Sequence, residues 1–590
     1  MERELVLRPA PPRQSHDEVD RYEVDRFEFD RYDADRHGGR PRPPPPTHKR
    51  LIVCADGTWH NADDGMLNGE LETPSNVARL SRAIKSVGDD GVPQIVYYQR
   101  GVGTRGNVVE RVVSGVTGDG VRENILSAYS FLCNNWAPGD EMILTGFSRG
   151  AFTVRSVAGF VAVVGLLTKR GLRCLPEIFR DVQNRRNPDY RSKNPDVPFP
   201  DKPSANDPRY AEELESRGLT TLDVRIKAVA VWDTVGSLGV PRFSILTRFG
   251  LQSNESEETQ FYDTKLSNCI EYAFQALALD ERRSAYAPAV WEKPRGNRTV
   301  LRQVWFPGTH SNIGGGNDDQ SLANITLAWM MAQLEPFLDM RMSFVLEMDD
   351  EMLQYYHSYG KRDRPWSFGM RSSVLILSTP PLGPSSSPSL SNPPSPPKGK
   401  IEDSLTGVFA LGGGTTRTPG QYYAVDPLTE RETTRPLRDT HEYIHPSARA
   451  RLALRGPGPA DKGRYDPPAL DDWRLVVDYP DDGDGDGYDG GGAPPRPRPD
   501  VLWIARFPER NVSARILPES PLWGPEKALL ARDPDVEAFV ARPPEMGGRR
   551  RRGRRRGPAR EGEGEEWRMV EDAEERRGGR RRGGYARSLP

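Results

Sequence analysis

The sequence predicts an α/β protein built on a mainly parallel sheet with helices on both faces, plus disordered tails. Three observations carry that expectation. From Lys49 onward, short apolar runs alternate with stretches of helical periodicity. The runs are apolar throughout rather than at every second residue, as in strands buried on both faces. Several end in Asp-Gly, Asp-Thr or Pro-Gly, where a connection to the next element would begin.

The elements follow in order. "RLIVCA" reads as a buried strand ending at Asp56-Gly57-Thr58. The next stretch predicts a helix, with Thr73 as cap, Pro74 at its first position and Val77, Leu80, Ile84 and Val87 on one face. "QIVYY" is a strand. Val121, Ile125, Tyr129 and Leu132 mark a second helix, and "EMILT" a third strand. "AFTVRSVAGFVAVVGLL" is a helix apolar on all sides, as in a buried helix. A polar insertion near 180–217 suits a surface loop or part of a lid. "IKAVAVW" and "RQVWF" are further strands. Between them, Ile270, Phe274 and Leu277 suggest a helix.

Composition bounds the rest. Hydrophobic residues make up 36% of the 590 positions, while Gly (57) and Pro (54) are abundant, so part of the chain is expected to lie outside the packed core. Lys and Arg number 82 against 84 Asp and Glu, a net charge of −2 that gives no general attraction to nucleic acid or anionic membrane. Cys54, Cys133, Cys174 and Cys269 form no C-x-x-C pair, which argues against a disulfide framework or zinc site. The N-terminus lacks the apolar core of a secretory signal, and Ser156–Leu167 is too short to span a bilayer. A soluble, cytoplasmic protein without stable membrane insertion is expected.

Residues 1–48 read as a disordered tail with a five-residue Asp-Arg-aromatic repeat, and 49–378 as the catalytic domain. A Pro/Ser-rich linker or insertion spans 379–400. A C-terminal extension, 401–545, is expected to pack on the catalytic domain, with a disordered acidic loop near 480–498. That loop imitates a calcium site at Asp482, Asp484, Asp486 and Gly487, but has Ala493 where the final Glu belongs. Residues 546–590 form an Arg/Glu-rich tail, with which nucleic acid would interact weakly at most. "GVTGDG" (Gly115–Gly120) fits neither phosphate-loop pattern and is read as a connection at the mouth of the site.

The candidate chemistry centres on Gly146-Phe147-Ser148-Arg149-Gly150, a G-x-S-x-G between a strand and a helix. A serine hydroxyl is a weak nucleophile without a base, and that base needs an orienting carboxylate. Asp233 ends the strand after Ser148, and His310 follows "RQVWF" into a glycine-rich loop, giving the chain order serine, acid, base. Asp280 is the rival carboxylate, better suited to a structural salt bridge. His441 and His445 are four residues apart but lack a third metal ligand, so a structural role is expected and no metal or cofactor. The oxyanion would take the Arg149 amide and one from Gly57, Thr58 or Trp59, with Asp56 holding that loop.

Together the stretches "LIVCADGTWHN", "YYQRGVGT", "GDEMILTGFSRGAFTVRSVAGF", "VAVWDTVGSLG", "ALALDERRSAYAP" and "VWFPGTHSNIGGG" resemble an α/β-hydrolase domain family. It is shared by the phospholipase effectors of bacterial type VI secretion and by many uncharacterised fungal and bacterial proteins. The resemblance covers roughly Arg50–Met331 and implies a Ser148-Asp233-His310 triad with the "DGTW" loop at the active site. Two departures stand out. Asn312-Ile313 replaces a common Asp-Val, and Leu322-Ala323-Asn324 a common Leu-Ser-Asp. Both bear on loop packing or an ion near the base, and neither removes a triad member. The expectation is a serine hydrolase of an ester, lipid esters among the candidates. The alternative is a non-catalytic scaffold of the same fold with charged tails.

Overall fold

The computed structural model describes residues 47–57, 66–67, 70–71, 73–101, 120–235, 265–350, 399–405, 414–426, 432–454, 456–478, 500–509, 514–532 and 534–541. Residues 1–46 of the expected N-terminal tail, the C-terminal tail, the greater part of the Pro/Ser linker, the acidic loop and Gly115–Asp119 lie outside the described residues.

The central sheet has seven strands, all parallel. In chain order they are β1 (Arg50–Ala55), β2 (Gln94–Gln99), β3 (Glu141–Phe147), β4 (Ile226–Trp232), β5 (Ile270–Ala278), β6 (Val300–Phe306) and β7 (Glu442–Ile444). Their spatial order is 7-6-5-4-3-1-2. From β1 the chain crosses to β2 on one side and then to β3 on the other, so connections diverge at the C-terminal ends of β1 and β3. Such a switch point opens a crevice where α/β proteins place their ligands.

The apolar runs have partners on both faces of the sheet. Leu51, Val53 and Ala55 pack with α2 (Val121–Asn135), α3 (Arg149–Val164), α4 (Leu175–Gln183) and α5 (Pro208–Ser216). Ile52 and Cys54 point the other way, toward α1 (Asn76–Ala83) and the wholly buried α7 (Ser321–Leu334). That second face is completed from far along the chain by α8 (Pro446–Ala453), α9 (Gly524–Leu530) and α10 (Pro534–Ala541). A three-stranded antiparallel sheet, β8 (Trp473–Asp478), β9 (Asp500–Ala505) and β10 (Ile516–Pro518), packs Trp473, Trp503 and Leu517 against Trp305 and Ile444.

Several sequence expectations need correction. Ile270–Ala278 is not a helix but β5, in the middle of the sheet. Every residue from Ala273 to Ala278 is buried. A strand covered on both faces shows no alternation, and its apolar residues can fall by chance at helical spacing. The cap of α1 is Ser75, whose hydroxyl accepts from the Ala78 amide at 3.2 Å, while Thr73 bonds Asp318. The helix ends at Ala83, leaving Val87 outside it and exposed. The polar insertion packs Phe199, Tyr210 and Leu214 into the core shared by α2 and α3. Its buried Asp181 accepts from Lys202 (2.6 Å), Tyr210 (2.9 Å) and Tyr190 (3.1 Å). All four cysteines are free thiols. Among the described residues no helix is long and apolar enough to cross a membrane.

Candidate active site

Ser148 lies where β3 turns into α3. Its backbone is at φ 56°, ψ −121°, a conformation that side chains rarely adopt, and its amide donates to the Trp232 carbonyl at 3.1 Å. The turn depends on its glycines. A Cβ at position 150 would stand 2.1 Å from the Ala55 carbonyl oxygen, and one at 146 would stand 2.6 Å from the Gly150 backbone. The first turn of α3 therefore sits directly against the end of β1. Arg149 opens that helix, where N–H groups point along the axis without acceptors from the helix itself.

Asp233 follows the last residue of β4, again at positive φ (35°). Its amide donates to the Ala276 carbonyl at 2.7 Å, and its Oδ1 accepts from the Ala278 amide at 3.1 Å. Its Oδ2 lies 2.6 Å from His310 Nδ1. Burial opposes ionisation of this carboxyl, but the guanidinium of Arg417 and the His310 imidazole outweigh it and hold the group below the usual carboxylate range. An ionised carboxylate only accepts, so Nδ1 of His310 carries the proton and Nε2 the lone pair.

His310 opens α6 (His310–Gly314), just after β6. Asn312 closes this turn on itself, its Oδ1 accepting from the Thr309 amide (3.0 Å) and hydroxyl (2.9 Å). Its Nδ2 donates to the Lys400 carbonyl at 3.0 Å. An ionised Asp at this position could not donate, so the departure noted in the sequence ties the His310 turn to Lys400, the last residue of the linker. The second departure, Asn324, accepts from Arg79 through its Oδ1.

The His310 ring packs between Phe147 (4.6 Å between centroids) and the edge-on ring of Tyr286 (4.8 Å). Burial lowers the imidazole below its ordinary value, with the Asp233 hydrogen bond opposing. Nε2 is buried and has no hydrogen-bond partner among the described residues, so the Ser148 hydroxyl is not bonded to it.

Asp56, at the end of β1, accepts from the Gly57 amide at 2.7 Å and the Tyr98 hydroxyl at 2.6 Å. The Gly57 amide is therefore turned toward Asp56 rather than toward an oxyanion, a correction to its candidacy. Thr58 and Trp59 lie outside the described residues. Asp280 follows a strand, not a helix, and its Oδ2 accepts from the Gly308 amide (2.6 Å) and Tyr465 hydroxyl (3.0 Å). Among the described residues it makes no ion pair. It braces the loop that leads into His310, and burial pushes its carboxyl up to about 6.

His445 is fully buried between Ser447 Oγ (2.7 Å) and Glu526 Oε1 (2.9 Å) and joins β7 to α9. Among the described residues no group of three His, Cys, Asp or Glu is placed to hold a metal ion.

Residues 49–333 match the family model of the catalytic domain of the Tle1-like phospholipase effectors of type VI secretion. This segment, a little under half of the chain, is similar to the Tle1-like catalytic domains. An uncharacterized protein of Saccharomyces cerevisiae, YEL023C, is 26% identical over 251 residues, covering 40% of this chain and 32% of that protein. The chain thus spans about a third of that relative's length. Among solved structures, an uncharacterized protein from Pseudomonas aeruginosa aligns at 17% identity and a TM-score of 0.27, over 49% of this chain and 45% of that one. The Tle1 effector bound to the VgrG spike aligns at 18% identity and a TM-score of 0.23, over 46% and 51%.

The Tle1-like segment ends inside α7, yet one residue from beyond it reaches the site. Arg417 donates to both oxygens of Asp233, at 3.2 Å from Nη1 and 3.1 Å from Nη2. Sequence reasoning missed it because "TTRTPG" carries no periodicity or motif, and 184 positions separate the two residues.

Proposed function

We propose that this chain is a serine hydrolase that cleaves a carboxylic ester, with lipid esters as the substrate class. The observation that carries the reading is the buried His310–Asp233 bond, at 2.6 Å, beside a serine held at positive φ between β3 and α3. The lipid class follows from the family description, phospholipase effector, of the matched catalytic segment.

In this reaction His310 Nε2 takes the Ser148 proton as Oγ attacks the carbonyl carbon. Asp233 holds Nδ1–H and stabilises the imidazolium. The tetrahedral oxyanion is held by the Arg149 amide and by the amide of Thr58 or Trp59. Nε2 then returns the proton to the leaving alkoxide, and water repeats the cycle on the acyl-serine. A serine–histidine bond that is open without substrate is common, since such contacts often close only in the Michaelis complex.

Labelling with a fluorophosphonate, with Ser148→Ala as the control, tests the mechanism. Hydrolysis of phospholipid and simple ester panels of graded chain length tests the substrate class. A folded protein with no Ser148-dependent labelling would instead fit a non-catalytic scaffold of the same fold.

A further inference from the structure

We propose that Arg417 is a positioning residue of this site, supplied from beyond the Tle1-like segment, which fixes the Asp233 carboxylate against His310. The role rests on the serine-hydrolase reading, but the contact itself does not. Arg417 is 2% exposed, and its guanidinium spans both oxygens of Asp233. With Ala278 and His310, the carboxylate accepts four hydrogen bonds, two on each oxygen. A carboxylate held this way has one orientation, and the oxygen facing Nδ1 cannot swing away from the imidazole.

Arg417 also donates from Nη2 to the Tyr286 carbonyl at 2.7 Å. Tyr286 is the residue whose ring stands edge-on to His310. One guanidinium therefore fixes the acid that orients the imidazole and a residue that packs on it. The planar fork suits this task, since a single ammonium cannot match both oxygens in plane.

The segment bearing Arg417 is itself fastened at both ends. Gly414 bridges to Arg283, and the Thr415 amide donates to the Arg282 carbonyl at 2.8 Å. Further on, the Gly420 amide donates to Glu442 at 3.0 Å, at the start of β7. The extension thus reaches the site through a strap tied to the exit of β5 on one side and the edge strand on the other.

The pair also bears on the base. Among the described residues, the charged groups acting on His310 are Asp233 at the end of β4 and Glu281 and Arg283 after β5, with Arg417 set against Asp233. Removing Arg417 would leave the negative charge of Asp233 without its guanidinium counter-ion, which favours the protonated ring. Arg417 would thus keep His310 neutral, and competent as a base, at lower pH.

The test uses the full chain in a Ser148→Ala background, so it does not depend on turnover. The His310 ring protons and its Nδ1–H are followed by NMR against pH with Arg417, Arg417→Gln and Arg417→Lys. Arg417→Gln is expected to make His310 titrate at higher pH. Arg417→Lys is expected to titrate close to the parent but to move the Nδ1–H resonance, because the carboxylate loses its two-point clamp. An unmoved titration in folded Arg417→Gln, or an unmoved Nδ1–H in Arg417→Lys, overturns the proposal, and the lysine variant decides if the glutamine variant does not fold. With Ser148 restored, Arg417→Lys is expected to lower kcat/KM on a p-nitrophenyl ester by on the order of a hundredfold. If the parent shows no Ser148-dependent turnover, the hydrolase reading fails while the NMR outcome still decides the positioning of Asp233.

Discussion

His310 Nδ1 lies 2.6 Å from Asp233 Oδ2, although 77 positions separate the two residues. The contact forms because β4, β5 and β6 are parallel neighbours, so residues leaving the first and last emerge on the same edge of the sheet. β5 between them supplies the Ala278 amide to Asp233, and Asp280, which follows it, braces the turn before His310.

The pH dependence of hydrolysis follows from this burial. In the proposed mechanism His310 is the base and must be neutral, and burial lowers its pKa below the ordinary 6.5. Activity should therefore persist below the pH at which a solvent-exposed histidine becomes half protonated, and fall as pH drops through the lowered value. The acid limb of a kcat/KM–pH profile measures this. A limb above the ordinary histidine value would contradict it.

Asp233→Asn removes the charge that faces the Arg417 guanidinium and the Nδ1–H of His310. The expected loss of kcat is on the order of 10⁴-fold, as when the imidazole loses its orienting carboxylate. It should also destabilise the fold by about 3–5 kcal/mol, because Arg417 is left buried without its counter-ion. Denaturant melts beside kinetics separate the two effects. The parent's own stability from this group is present above the ordinary carboxylate range and is lost as pH falls through the depressed folded value.

Ser148→Gly should abolish turnover and yet stabilise the protein by about 1 kcal/mol, since glycine adopts this positive-φ backbone without the strain that serine carries. A thermal melt that drops relative to the parent would contradict this. Gly150→Ala is the opposite case. Its Cβ meets the Ala55 carbonyl at 2.1 Å, so a loss of about 3 kcal/mol or more is expected.

Truncation within the chain offers a fourth check. Residues 47–340 contain Ser148, Asp233 and His310 but lack β7, α9 and Arg417. Removing them uncovers the β6 edge and the buried α7, together with Trp305 and Phe306. This fragment should aggregate or lose near-UV circular dichroism, whereas residues 47–541 should keep both solubility and signal.

The apolar runs, the helix of Val121, Ile125, Tyr129 and Leu132, and the Ser148 turn were legible in the sequence because each depends on local chemistry. Periodicity marks a face, Gly146 and Gly150 permit close backbone approach, and a strand end in an α/β chain is where polar groups collect. The order of Ser148, Asp233 and His310 was legible for the same reason. β5 was not, because a strand buried on both sides has no alternation to reveal it. The Gly57 amide's turn toward Asp56 and the bond from Asn312 to Lys400 depend on directions that residue identities do not fix. Arg417 could be found only in three dimensions. A buried carboxylate is stabilised by whichever cation the folded chain brings near, and here that cation comes from the segment fastened between β5 and β7.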